Sequence, residues 1–405
     1  MRRTNWLLRR ACAGLLVSAL GFFAHRAPAA VSGEVVIGVI QALSGPNAQQ
    51  GINAQRGTEL AAEAINERGG VRALGGAKIR LITSDVPTPN TAAEVTQRLI
   101  SQNNVSAMIG TVNSATTLAA SEVTERGGIP LVTFAFADQI TERGYKYIFA
   151  VSPKGSTFGE AQLNYTIAIA RAAGENITKI GILYEDTAYG SAQAKGLRLA
   201  AAKTGVQIVM DEAYPQGITD VTPLVNKLRA SGAQIAFPVS YLNDSLLIIR
   251  SMRQQQLNTP VVGGAAGYVL PDFRKGLGDL AEGILSVAAA NSDLMPDFAA
   301  KYEAKYGTFI THDSLMHAAA LDSVVQAIER AKSSDPEKVR DALATLDYCG
   351  GFAKGVPGGC VKFDATGRNA SAFPVMVQWH GDRPVTVYPP QAAKQKAIWR
   401  GKPTS

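Results

Sequence analysis

Cysteine, histidine and tryptophan are scarce in this chain of 405 residues, which holds 3 Cys, 4 His and 3 Trp. The motifs that carry phosphate or acyl chemistry are missing as well. There is no Gly-rich loop ending in Gly-Lys-Ser/Thr, no Gly-x-Gly-x-x-Gly after a strand, and no Gly-x-Ser-x-Gly elbow. No stretch after residue 30 is long and apolar enough to span a bilayer. With 46% hydrophobic, 7% aromatic and 18% charged residues the chain is neither disordered nor low in complexity, and collagen-like and coiled-coil readings fail too. The chain therefore reads as a globular non-enzyme of two or three domains without a cofactor.

Positive charge is abundant, but it is concentrated at one end. Arg2, Arg3, Arg9 and Arg10 precede the apolar run Ala11 to Phe23, and Ala27-Pro28-Ala29 offers the small residues that a signal peptidase reads. This is the pattern of a secretory signal peptide over residues 1–29. Removing it takes away five Arg, with Arg26 the fifth, and no acid, so the formal charge falls from +7 to about +2. The hint of a nucleic-acid partner disappears with it. Cys12 precedes the apolar core of the leader and is badly placed for a lipid anchor. A soluble, exported protein is expected, periplasmic in location and monomeric.

Two cysteines remain, Cys349 and Cys360, separated by a Gly-rich stretch. In an oxidising compartment they read as a disulfide closing a surface loop. A metal pair is the alternative, but no further Cys or His lies nearby. His312 and His317 are five apart, a spacing that puts them on different faces of a helix, so no metal site is expected there.

Along the mature chain strand-like and helix-like segments alternate. Val35–Ile40, Lys78–Ser84, Ser106–Gly110 and Pro130–Phe134 read as strands separated by helical patterns. A second series starts after Ser152-Pro153, with strands at Lys179–Tyr184, Val206–Glu212, Gln234–Val239 and Pro260–Gly263. A helical region over 296–331, a helix over 336–346 and strands at Val375–Trp379 and Val385–Tyr388 follow. The alternation predicts α/β architecture: two doubly wound parallel-sheet lobes. Lobe 1 is expected over 30–151 plus about 291–365, lobe 2 over 152–290 plus about 366–390, and 391–405 as a basic C-terminal tail.

Several stretches resemble one family in order and approximate spacing. They are Ile37-Gly38-Val39 leading through Leu43-Ser44-Gly45-Pro46 to Gly51, Gly57-x-Glu59-Leu60-Ala61, Ile65-Asn66-x-x-Gly69-Gly70-Val71, Ile109-Gly110 with Ser114, Tyr184-x-Asp186-x-x-Tyr189-Gly190, and Tyr214-Pro215 with Thr219-Asp220. Together they resemble the periplasmic branched-chain amino acid-binding proteins, the leucine/isoleucine/valine-binding type. That resemblance implies a type I periplasmic-binding-protein fold whose lobes are joined by a three-crossing hinge. It also implies a cleft that closes on a small carboxylate ligand and an ABC permease as partner. A ligand-sensing subunit reporting to a membrane receptor is the alternative use of the same fold.

In open α/β sheets ligands bind beyond the carboxyl ends of strands, where loops lead into helices. Asn113 and Ser114 sit at such a place. Read alone, Ser114 is an ordinary helix N-cap; the resemblance implies instead that it holds the ligand carboxylate, aided by the helix start. The resemblance further implies that the backbone at Ala135 joins the site and that Tyr189 and Tyr241 approach from lobe 2, although both also suit ordinary packing.

The departures concern the ligand. Ala265 stands where relatives place an acid for the ligand ammonium, Ala137 where a hydroxyl is expected, and Gln50 where an aromatic ring often contacts the ligand. Losing the partner of a desolvated charge costs about 2 to 5 kcal/mol. Phe134 and Phe136 flank this segment. If one of them enters the cleft, a carboxylate with an apolar or aromatic body fits; if both enter the core, they say nothing. Glu185, Asp186 or Asp244 offers a relocated ammonium partner, which keeps an amino acid open. The leader reading is checked by N-terminal sequencing of the exported protein, which should start within a residue of Ala30; an intact Met1 terminus overturns it.

Overall fold

The structure is a computed structural model and describes residues 33–404. The leader over 1–29, its cleavage after Ala29 and Cys12 lie outside the described residues. The first sheet is built around β1 (Glu34–Gln41), whose run of Val and Ile is buried on both faces, as a central parallel strand requires. From β1 the chain passes through α1 (Ala48–Glu67) to β2 (Lys78–Asp85), then α2 (Pro89–Asn103), β3 (Ala107–Ile109), α3 (Ser114–Gly127), β4 (Leu131–Thr133), α4 (Gln139–Glu142) and β5 (Ile148–Ala150). The strand order is β2-β1-β3-β4-β5, all parallel. The direction of winding reverses between β1 and β3, so the loops after those two strands border a crevice.

The second sheet repeats the alternation with α5 (Gly155–Ala172), β6 (Lys179–Glu185), α6 (Ala188–Thr204), β7 (Gln207–Tyr214), α7 (Thr222–Ser231), β8 (Ile235–Val239), α8 (Leu242–Gln254) and β9 (Val262–Gly263). Strands run β7-β6-β8, and an Ala236–Val261 bridge carries the sheet on to β9. After α9 (Pro271–Leu277), β10 (Leu285–Ala288) lies parallel to β9.

The helical region read as continuous over 296–331 is two helices, α10 (Pro296–Tyr306) and α11 (His312–Ala331). Gly307, with φ of 70°, ends α10 in the left-handed region that suits glycine. Then come α12 (Pro336–Ala344), β11 (Asp347–Tyr348) and β12 (Val361–Lys362), before β13 (Val375–His380) and β14 (Arg383–Tyr388) join the second sheet. Both are antiparallel to their neighbours, so this sheet is mixed at that edge: β14 returns from β13 through a two-residue turn, without a helical crossover.

The chain thus passes three times between the two sheets: after β5, after β10 and before β13. On the first sheet's side, α11 packs against α1 at a close approach, where a Cβ on Gly57 would stand 2.2 Å from the Ser314 carbonyl oxygen. Glycine at 57 lets α11 bring its N-terminal residues beside the crevice. A continuous buried cluster includes Ile37, Phe134, Phe136, Phe158, Ile180, Tyr189 and Tyr241, drawn from both halves.

The segment read as a C-terminal tail is folded. β15 (Ile398–Trp399) and β16 (Lys402–Pro403) form a hairpin, Trp399 is buried, and its indole donates to Glu175 at 2.9 Å. Gln378 on β13 fixes Ile398 by donating to its carbonyl at 2.6 Å and accepting from its N–H at 2.8 Å. The apolar pair Ile398-Trp399 outweighs the basic residues around it, because burying a large side chain contributes about 1.5 to 3 kcal/mol. Among the described residues no helix is long and apolar enough to cross a membrane.

Cys349 and Cys360 form a disulfide between the flanks of β11 and β12. Replacing both with Ser should cost on the order of 2 to 3 kcal/mol in denaturant unfolding, through loop closure of the unfolded chain. No loss, or complete failure to fold, would contradict that estimate.

Candidate functional site

The loop from β3 to α3 sets the first element of the site. Asn113 is the N-cap of α3, its side-chain oxygen accepting from the Thr116 N–H at 3.0 Å and the Thr116 hydroxyl at 3.1 Å. The capping role read for Ser114 therefore falls one residue earlier, and the Ser114 hydroxyl is free for other work. It accepts from the Ala137 N–H at 3.1 Å, tying the β3–α3 loop to the segment after β4. Asn113 Nδ2 donates to the Tyr241 hydroxyl across the crevice at 2.9 Å, and the Ser114 N–H faces the same oxygen. Two donors at a helix start thus converge on one acceptor position, an arrangement that favours an anion.

Ala135 and Ala137 are buried, and their carbonyls turn away from the crevice toward Arg368. The Arg368 guanidinium donates to the Ala137 carbonyl at 3.0 Å, the Ala135 carbonyl at 3.3 Å, the Ser152 hydroxyl at 3.3 Å and the Pro153 carbonyl at 3.4 Å, while its Nε reaches the Thr141 hydroxyl at 3.2 Å. Burial pushes its pKa down to about 10, opposed by Asp138, Asp364 and Glu142, so the group stays charged at neutral pH. A buried cation thus stands behind the segment that meets the crevice. Sequence reasoning missed it, because a lone Arg between Gly367 and Asn369 gives no local sign of burial.

From the second half, Tyr189 at the start of α6 donates to the Gly264 carbonyl, and its ring lies 5.2 Å from that of Tyr241. Burial holds both phenols well above their ordinary pKa, so they remain protonated. Ala265 is buried with φ of 74°, and its N–H donates to Ser286 on β10 at 3.1 Å. Its methyl brings no charge to the crevice. Phe136 is the ring that reaches between the halves, 4.3 Å from Phe158 and 5.9 Å from Tyr189, whereas Phe134 sits against His312 and His317.

Of the three acids offered as relocated ammonium partners, two have other duties and one is exposed. Glu185 is buried, which raises its pKa, and accepts from the Thr187 N–H and hydroxyl and from the Gly190 N–H, holding the start of α6. Asp244 faces the Gly217 N–H at 3.3 Å, its pKa raised to about 6 by burial. Asp186 is exposed.

Gln50, buried on α1, faces an acid that sequence reasoning passed over: Asp313, in the first turn of α11. Burial pushes Asp313 up to about 8, against the Thr311 hydroxyl and the Asn53 and Gln50 amides, which favour its charged form. The polar start Thr311-His312-Asp313-Ser314 of an otherwise apolar helix was the available signal. His312 and His317, read as lying on different faces, both meet the Phe134 ring at 5.4 Å because α11 is buried on more than one side. Among the described residues no group of three or more His, Cys, Asp or Glu is placed to hold a metal ion.

Two α/β halves that meet through helix-start donors and aromatic rings are the architecture of a small-molecule-binding protein. The sequence matches the family described as "Periplasmic binding protein" over residues 34–382. It is 32% identical to the Leu/Ile/Val-binding protein homolog 7 of Brucella suis, over 94% of this chain and 97% of that protein. It is equally 32% identical to homolog 8 of Brucella melitensis, over 97% and 98%. The fold is similar to that of the branched-chain amino acid transporter substrate binding protein LivJ from Streptococcus pneumoniae, solved in complex with isoleucine (TM-score 0.74, 25% identity, 87% of this chain and 99% of that one). A solute binding protein from R. palustris, solved in complex with benzoate, shares the fold at 20% identity (TM-score 0.73, 89% and 99%). The chain belongs to the periplasmic binding protein family, of the branched-chain amino acid ABC transporter type, and has the type I fold of that family.

Removing Arg368 leaves carbonyls from two passages of chain without their donor, and each unsatisfied buried group costs about 1 to 3 kcal/mol. Arg368→Met should therefore lose at least about 3 kcal/mol in urea unfolding, with Arg368→Lys intermediate. A neutral Arg368→Met variant would show that these contacts are incidental.

Proposed function

We propose that the protein is an exported solute receptor that captures a small carboxylate ligand in the inter-sheet cleft and delivers it to an ABC permease. The ligand has an apolar or aromatic body and no α-ammonium. The convergence of Asn113 Nδ2 and the Ser114 N–H on the Tyr241 oxygen carries this reading, with the nearby acids already engaged, Glu185 by Thr187 and Gly190 and Asp244 by the Gly217 N–H. A carboxylate oxygen arriving there takes over the donors that the phenol holds, and the Ser114 hydroxyl adds its own proton. Arg368 supports the same charge from behind. An α-ammonium lies one carbon from the carboxylate, so its partner would have to stand near Ser114, and Ala137, which bonds to Ser114, brings no charge.

Phe136, Tyr189, Tyr241 and Phe158 supply the apolar walls. Because they come from both halves, they surround a ligand only when the halves are closed. Binding then acts by shifting the population toward the closed form, and the permease meets a shape that reports occupancy. The leader expected over residues 1–29 fits this setting, as does a disulfide.

A thermal-shift screen of the protein, freed of carried-over ligand by unfolding and refolding, tests the proposal. At a hundredfold excess over Kd a true ligand stabilises by about 2.7 kcal/mol. Benzoate and medium-chain aliphatic carboxylates should shift the melting temperature, leucine, isoleucine and valine should not, and Ser114→Ala should remove the shift. A strong shift with leucine would overturn the reading.

A further inference from the structure

The segment after β14 is basic in sequence and folded in the structure, and the reading of the crevice gives it no work. Beyond Asp382 the chain holds no Asp or Glu, while Lys394, Lys396, Arg400 and Lys402 fall close together. All four are exposed. Arg400 pairs with Glu175 at 3.5 Å and donates to the Gln234 carbonyl at 3.2 Å. Lys394 and Lys396 have no ion-pair partner among the described residues.

These two lysines border a groove of about 470 Å³ between α5 and the C-terminal segment, a volume within the range of small-molecule sites. Its apolar wall includes Ile169 from the last turn of α5, Val387 and Tyr388 from β14, and Ala393. No Asp or Glu among the described residues lines it. The backbone that carries the lysines is fixed: the Ala393 N–H donates to the Pro389 carbonyl at 3.0 Å and the Lys394 N–H to the Thr386 carbonyl at 2.8 Å. A ligand there has little chain to order on binding. The contact of Arg400 with Gln234 places the hairpin beside the amino end of β8, whereas Tyr241 follows the carboxyl end of that strand. Groove and crevice therefore lie toward opposite ends of the second sheet.

We propose that this groove is a second binding site, for a free single-chain amphiphilic anion whose alkyl chain lies along Ile169, Val387 and Tyr388 and whose head meets the Lys394 and Lys396 ammonium groups. A small inorganic anion would leave the apolar wall in water, and a neutral chain would leave the lysines without a counter-charge. A bilayer of anionic lipid also suits lysines, but the apolar surface here is concave. The large apolar side chain that projects from the segment is Ile398, 40% exposed, and membrane contacts insert a broad apolar face. The site does not rest on the function proposed for the crevice.

The test is calorimetric titration of the full mature protein with decanoate, octanoate and decanol below their micelle or solubility limits, in the parent and in Ser114→Ala, which removes the hydroxyl proposed for the crevice ligand. Decanoate should bind the Ser114→Ala protein, octanoate more weakly by up to about fourfold per methylene lost, and decanol about fivefold more weakly than decanoate. Lys394→Gln with Lys396→Gln should remove the preference for decanoate over decanol. Both lysines are exposed, so that variant should melt within about 2 °C of the parent. Ala393→Phe, which fills the groove and keeps both lysines, should weaken both ligands and carries the test if the lysine variant melts lower.

Decanoate binding that is equal in the parent and Ser114→Ala, and weakened by the lysine and Ala393 substitutions, supports the groove even where the crevice reading fails. Binding lost with Ser114→Ala and untouched by the other substitutions belongs to the crevice and overturns the groove, as does no binding of decanoate at all. Sedimentation with phosphatidylglycerol vesicles at about 0.15 M salt separates the free amphiphile from a bilayer. Lysine-dependent sedimentation without binding of free decanoate would make the surface a membrane contact and overturn the proposal.

Discussion

A single guanidinium joins the parts of this molecule that must act together. Arg368 lies on the last passage between the sheets, bonds to Ser152 and Pro153 on the first, and holds the carbonyls of Ala135 and Ala137, the backbone nearest the ligand donors. Its charge is solvated by carbonyls and hydroxyls, with no carboxylate bonded to it. Asp138, Asp364 and Glu142 lie close enough to favour the charged form. The carbonyls are also committed, so the segment after β4 keeps one conformation while the halves move. Two passages of chain and the segment after β4 share one support.

The second constraint is the close approach of α1 and α11. Glycine at 57 lets the backbones meet, and that contact sets where the first turn of α11 lies. Thr311 to Ser314 are buried against α1 for this reason, and a polar helix start enters the interior. The start of α3 presents its donors to Tyr241, while the polar groups of α1 and α11 meet one another around Asp313. Between them stand Phe136, Tyr189 and Tyr241, with both phenols kept neutral by burial. Charge recognition and shape recognition are thus held by different secondary-structure elements.

Much of the fold was legible in the sequence because parallel strands buried on both faces read as apolar runs and the helices between them as amphipathic ones. Val35–Ile40 and Lys179–Tyr184 lie within β1 and β6. What escaped was short or broken. β5 and β10 have three and four residues and are not set off by an alternating helical pattern on both sides, as the equally short β3 and β4 are. The junction of α10 and α11 was hidden because apolar positions continue on both sides of Gly307. The segment 391–404 read as a tail because its composition is basic, while the burial of Trp399 depends on Glu175 and Gln378, far away in sequence. In the site, Ser114, Ala137 and Tyr241 meet around one position, but the cap is Asn113, a one-residue difference that only hydrogen-bond geometry decides.

By itself the sequence determined the alternation of strands and helices, the spacing of the two cysteines, and the absence of an acid at Ala265, because each is a local property of residue type and order. It also carried the family, through short motifs spread along nearly the whole mature chain. Only the tertiary structure decided that Arg368 supports the ligand segment and that Glu185 holds the start of α6. It also decided that Phe136 rather than Phe134 reaches between the halves, and that Gln50, Asn53 and Thr311 meet Asp313. Those assignments join residues far apart in the chain. Local propensity contains no term for them; they depend on which groups are brought within hydrogen-bond distance once water is excluded.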